Sequence, residues 1–268
     1  MLGSLLKYEF SAVGRIMLPL LGALLAASAV LGFAIRAGSN IGTAAVLVYA
    51  VLFVAAMLTT LILIIQRFSK NLLGSEGYLM FTLPVSTGSQ LWNKTISAII
   101  WCLLTNIAVV ISWILIMVCS DADFSAMTYG NVNSVGDFIS QAFDYFGKGQ
   151  VIGTAVELLA VVMIVSGSLA LKVYASIAVG HEVENHRGIC SVGVFIGFSI
   201  LESIILNAVG DKFGDIGKDI AVKIADNTAN ALTGVHEVAI SIGIVMAIFG
   251  AIYFAATWFI MDRKLNLD

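Results

Sequence analysis

Charge is what this sequence has least of. Only 12% of its 268 residues are Asp, Glu, Lys or Arg, against roughly 25% in soluble domains. Hydrophobic residues make up 59%, and mean hydropathy is +0.99. A water-soluble fold this apolar would expose large hydrophobic patches and aggregate. Lipid is the better solvent. The small net charge of −3 lacks the basic excess that nucleic-acid binding uses, so no nucleic-acid partner is expected.

Cysteine is also scarce. Cys102, Cys119 and Cys190 form no CxxC and fall in or at the ends of apolar runs, which reads as small buried hydrophobes. No metal site is expected. HEVENH, residues 181–186, resembles the zinc motif HExxH, but its histidines are five apart. Five residues put them about 140° apart around a helix, whereas two zinc ligands need a shared face. No GxSxG supports a serine nucleophile. No Asp falls inside an apolar run to build an aspartyl dyad; Asp262 only borders the last one. The opening MLGSLLKYEF places Lys7 and Glu9 where a signal peptide needs an apolar stretch, so no cleaved leader is expected.

What is present is six long apolar runs. A helix needs about 20 such residues to cross the hydrocarbon. The windows are 16–35, 44–65, 96–119, 151–179, 189–209 and 238–261. The first, second, third and sixth contain no Asp, Glu, Lys or Arg; the fourth holds Glu157 and Lys172, the fifth Glu202. Barrel-type alternation is absent, so helices must satisfy the backbone in lipid. The expected fold is all-α integral membrane, one transmembrane domain over 1–268.

The positive-inside rule sets orientation. With the N-terminus in the cytoplasm, eight Lys and Arg lie on inner segments (Lys7, Arg15, Arg67, Lys70, Lys94, Arg187, Arg263, Lys264). Five lie on outer ones (Arg36, Lys148, Lys212, Lys218, Lys223). N-in, C-in is therefore expected. Trp92 and Trp258 fall near inner boundaries, as an aromatic belt would have them. Glu157 and Lys172 are 15 residues apart, roughly 22 Å along a helix. That spacing predicts Glu157 at the outer interface and Lys172 snorkelling to the inner one. Glu157 and Glu202 would lie at similar outer depths. They either line a substrate cavity favouring a cationic amphiphile or snorkel to headgroups.

The segments between spans carry their own pattern. Residues 2–15 put Leu2, Leu5, Leu6, Phe10 and Val13 on one helical face. They read as an interfacial elbow helix or a frayed terminus. Residues 66–94 are polar at both ends with an apolar, aromatic middle from Glu76 to Val85, stopped by Pro84. That patch either docks a partner or packs on the protein's own helix ends. After the third span, Val135, Phe138, Ile139, Ala142, Phe143 and Phe146 recur at helical spacing, with Ser134 as a cap. A weaker series runs through Phe213, Ile216, Ile220 and Ile224. Both could pack on the bundle or lid a cavity. Gly243, Ala247, Ala251 and Ala255 form an i+4 series for close helix packing.

SLLKYEFSAVGRIMLPLLGAL (4–24), SEGYLMFTLPVSTGSQLWNKTISAIIW (75–101), GHEVENHRG (180–188) and MDRKLNLD (261–268) together resemble the small ABC-2-type ABC transporter permeases common in Gram-positive bacteria. EGYLMFTLPVS is the most specific of them. The resemblance implies a bacterial plasma-membrane permease, an elbow helix at 2–15, and a coupling helix between spans two and three. That helix maps onto Glu76, Gly77, Tyr78, Leu79, Met80, Phe81 and Thr82, and favours partner docking for the patch. A second, smaller cytoplasmic contact maps onto His181, Glu182, His186 and Arg187. The family pattern does not explain Glu157, Lys172 and Glu202.

No GxxxxGK[ST] phosphate loop is present, so ATP and Mg would bind a separate ATPase chain, and this chain is not expected to be an enzyme or to carry a cofactor. A second permease, identical or paralogous, would complete the transporter, with an exported hydrophobic or cationic amphiphilic substrate such as an antimicrobial peptide, lipid or drug-like molecule. Two alternatives belong to other classes. One is an ATPase-independent carrier, disfavoured because the ionisable residues sit nearer span ends than mid-membrane. The other is a non-transporting membrane sensor or assembly partner.

Overall fold

In a computed structural model the described residues are 2–38, 41–72, 87–120, 135–182, 186–225 and 231–263. They form seven helices: α1 (Leu2–Arg36), α2 (Ile41–Leu72), α3 (Thr87–Cys119), α4 (Val135–Phe146), α5 (Lys148–His181), α6 (Arg187–Ala225) and α7 (Ala231–Arg263). Six of these, all but α4, are long and apolar enough to cross a membrane. The protein is all-α and integral to the membrane, as its composition requires. Outward side chains confirm the solvent. Leu47 is 63% and Val51 67% exposed on α2, a cost in water that vanishes in lipid.

The helices overrun the apolar windows. The expected elbow and the first span are one continuous helix, Leu2–Arg36, with Pro19 inside it. At 35 residues it is about 52 Å long, well beyond a 30 Å hydrocarbon core. α3 begins at Thr87, nine residues before the window expected at 96. α6 carries the Phe213–Ile224 series within one 39-residue helix. α4 matches the amphipathic series after the third span, with Asp137 in its first turn, where a carboxylate suits the helix dipole. The coupling segment Glu76–Thr82 and the cap Ser134 lie outside the described residues.

The chain divides into two compact units, one holding residues 3–63 and 100–151, the other 64–99 and 152–268. In the first, Val13, Met17, Leu21 and Leu24 line one face of α1 and are buried with Ala56 and Trp101. Among the described residues two pairs of hydroxyls cross this core, while the Trp101 indole nitrogen is buried without a partner. Thr60 and Thr105 hydroxyls meet at 3.1 Å, and Tyr49 and Ser112 at 2.8 Å. Each is an interhelical hydrogen bond, worth about 0.6 kcal/mol on average between membrane helices.

In the second unit, α5 supplies most of the core. Ala170 to Ala178 is almost wholly buried, against Phe68 of α2, Leu91 of α3 and Tyr253 of α7. Phe68 stacks on Tyr174 at 4.2 Å, and the Tyr174 hydroxyl donates to the Lys94 carbonyl at 3.3 Å. The first turns of α3 bury Gln90, Asn93, Lys94 and Thr95. At its start, the Thr87 hydroxyl donates to Asp262 near the end of α7 at 3.2 Å.

The turn from α5 to α6 is closed by Gly180. A Cβ there would stand 2.7 Å from the Ser191 backbone nitrogen and 2.8 Å from its Cα. Backbone cannot yield as a side chain can, so only glycine permits this approach. His186 completes the turn with φ +67°, a left-handed conformation that non-glycine residues seldom adopt. Gly180→Ala should therefore lower stability by about 1–3 kcal/mol through overpacking. Gly193→Ala on α6, where nothing lies within 4 Å of the added carbon, should raise it by up to about 1 kcal/mol. Thermal unfolding in detergent checks both; a stabilised Gly180→Ala would show that the helices do not meet there.

Candidate functional site

Three helices of the second unit converge on Glu202. Lys172 of α5 reaches its Oε2 at 2.6 Å. The Tyr253 hydroxyl of α7 donates to its Oε1 at 2.9 Å. Both carboxylate oxygens are thereby engaged. The ammonium also lies 4.9 Å from the centre of the Phe195 ring, close enough for a cation–π attraction. Phe198 and Phe249 enclose Tyr253, with ring centres at 5.1 and 6.1 Å. Side chains of Lys172 and Glu202 are only 9% and 10% exposed.

This overturns the snorkelling expected of Lys172, and the reason is helix direction. Side chains lean toward the N-terminus of their own helix. Lys172 lies nine residues before the end of α5 at His181, so it leans away from that end. Glu202 lies 15 residues after the start of α6 at Arg187, so it leans back toward that start. Measured from the shared turn, the two Cα positions differ in depth by about 9 Å. The opposed leans close that gap, and one ion pair neutralises two intramembrane charges.

Glu157 has a different partner from Glu202. Its Oε2 meets His236 Nδ1 of α7 at 2.5 Å, and the His236 side chain is 57% exposed. The structure therefore does not bring the two expected cavity carboxylates onto one partner. Glu157 lies near the start of α5, and its other oxygen is buried without a partner. His236 was not singled out from the sequence. The signal available was depth: it lies five residues into α7, and Glu157 nine into α5, two helices that start on the same side.

At the expected second cytoplasmic contact, His181 Nδ1 lies 2.9 Å from the Ile177 carbonyl, which turns it onto its own helix. Glu182 follows α5, and His186 and Arg187 stand exposed at the start of α6. Residues 183–185 of that stretch are outside the described part. Among the described residues no group of three or more His, Cys, Asp or Glu could hold a metal ion.

Between α3, α5 and α7 the same unit forms an open groove of about 530 Å³. Trp92 and Ile99 face it from α3, Met163 and Ser168 from α5, Ala247 and Phe254 from α7. The Gly243–Ala255 series is divided in its use. A Cβ on Gly243 would meet Val161 at 3.5 Å, an ordinary packing contact within the unit, while Ala247 and Ala251 line the groove.

Six helices long and apolar enough to cross a membrane define the class: an all-α multi-pass membrane protein. Comparison of the chain with protein-family models, with curated proteins and with solved structures finds no match in any of the three.

Proposed function

We propose that this chain is the transmembrane permease subunit of an ABC-2-type ABC transporter, moving a hydrophobic substrate outward at the expense of ATP hydrolysed by a separate chain. The observation that carries this reading is the order of spans and motifs. EGYLMFTLPVS lies between the second and third of six spanning helices, and GHEVENHRG at the turn between the fourth and fifth. That is the order the resemblance requires. Under this reading the N-terminus is cytoplasmic, the chain sits in a bacterial plasma membrane, and a second permease completes the pathway. The pairing of Glu202 with Lys172 and Tyr253 weakens the case for a cationic substrate there, because both of its oxygens are engaged.

Co-expression with ABC ATPases of the same organism tests the proposal. The ATPase should co-purify with this chain, and reconstitution should stimulate ATP hydrolysis several-fold. An ATPase that neither binds nor responds would reject it.

One observation favours a second reading, an ATPase-independent carrier driven by an ion gradient. Lys172, Glu202 and Tyr253 form a buried ionisable group within the spanning segments, which is a common feature of such carriers. Transport in vesicles that follows an imposed proton gradient without ATP would select this reading.

A further inference from the structure

We infer that the outward face of α3 around Asn106 is a self-association seam, on which a second copy of this chain docks its own α3.

The helix uses its two sides differently. Trp101, Thr105, Ala108, Val109 and Ser112 are buried, and the hydroxyls of Thr105 and Ser112 meet hydroxyls of α2. Another face carries Leu103, Asn106, Val110, Trp113 and Met117. All of these but the half-buried Leu103 are exposed. Their steps of three, four, three and four residues average the heptad spacing. That spacing keeps one seam turned toward a partner helix along a left-handed supercoil.

Asn106 sets this seam apart from plain lipid-facing surface. It lies within an apolar run free of Asp, Glu, Lys and Arg. Among the described residues its side chain makes one hydrogen bond, from Nδ2 to the Cys102 carbonyl of its own helix at 2.8 Å. The amide oxygen and the second N–H are left over, and hydrocarbon offers them nothing. A neighbouring helix that supplies a donor and an acceptor stabilises such a group.

Symmetry selects the occupant. A carboxamide is both donor and acceptor, so two of them complete each other. Copies inserted in the same orientation are related by a two-fold axis along the bilayer normal. Their α3 helices then run parallel, and each residue of the seam stands at the level of its own counterpart. Asn106 therefore faces Asn106 whatever its depth in the bilayer, while the apolar seam residues face one another along the rest of the contact. A single polar residue in an apolar heptad seam is also a device that fixes register and oligomeric state.

The seam rests on the fold and not on the permease reading, so its test needs no ATPase. The full chain, with Cys102, Cys119 and Cys190 replaced by Ala, is reconstituted in phosphatidylcholine vesicles. Single cysteines are then placed along α3 and oxidised. Asn106→Cys, Val110→Cys and Met117→Cys should give disulfide-linked dimers in high yield. Leu104→Cys, Ile111→Cys and Val118→Cys should not: these positions are also exposed, but lie about 120–160° round the helix from Asn106. In energy-transfer measurements on the chain diluted into lipid, Asn106→Leu should weaken association about threefold to thirtyfold, the range of one interhelical hydrogen bond. Asn106→Gln should keep most of it. Leu is at home in lipid, so the Leu variant should retain the helical content of the parent. Equal disulfide yields at both sets of positions, association unchanged by Asn106→Leu, or a chain that stays monomeric at every dilution would overturn the assignment. A chain that pairs through α3 yet captures no ATPase would keep this seam and reject the permease reading.

Discussion

Replacing Lys172 by Met alone should destabilise the protein by about 3–5 kcal/mol, whereas Lys172→Met, Glu202→Met and Tyr253→Phe together should restore most of it. Removing one partner leaves the Glu202 carboxylate buried without its ammonium. It must then take up a proton or drag water into the core. Removing all three polar groups leaves an apolar contact of similar volume. Buried ion pairs replaced in this way are often as stable as before. Thermal unfolding in detergent of the single and triple variants reads the difference directly. Equal midpoints for the two would mean that the ion pair is not buried as described.

The same pair of variants separates the two functional readings. If the triad only locks α5, α6 and α7 together, the triple variant should recover transport along with stability. If it exchanges protons or a cation during transport, the triple variant should be stable yet inactive. A folded, inactive triple variant would therefore favour the gradient-driven carrier over the permease.

The spans themselves were legible because lipid imposes one rule on every residue it touches. Apolar runs of about 20 residues with at most two charges have no other stable environment, and the six windows fall within six helices. The rule weakens where a polar side chain meets protein instead of lipid. Thr87 to Thr95 reads as loop on hydropathy, yet Gln90, Asn93, Lys94 and Thr95 are buried in the first turns of α3. Lys94 was counted among the inner positive charges, and it is 2% exposed. Hydropathy measures transfer to lipid and is silent about neighbours supplied by other helices.

Lys172 failed for a related reason. Its direction follows from which way α5 runs, and its partner comes from α6. The Tyr253 contact joins residues 51 apart in sequence, beyond the reach of any periodicity. The groove was invisible for the same reason. Small residues such as Gly250 and Ala251 mark a close approach in one place and an empty space in another, and only the packing of α5 decides between them. The division of α2 and α3 between two units leaves no mark on the sequence either.

The largest functional effect is expected at the segment between α2 and α3. Tyr78 and Phe81 lie outside the described residues, but their spacing of three would put both on one face of a helix. Pro84 would end any such helix. Two aromatics presented side by side to the cytoplasm are the kind of anchor that carries 2 kcal/mol or more each at a protein interface. Tyr78→Ala with Phe81→Ala should then weaken ATPase binding roughly a hundredfold or more, with the effect of the pair not the sum of the two. If the patch faces a partner, the thermal midpoint of the membrane helices should stay unchanged. Measured by capture of the ATPase on the purified protein, and by ATP hydrolysis in vesicles, the loss should appear in both. If capture falls but the midpoint falls with it, the patch packs against this chain's own helix ends. If capture and hydrolysis are unchanged, this segment is not the coupling surface, and the permease reading loses the motif that most favours it.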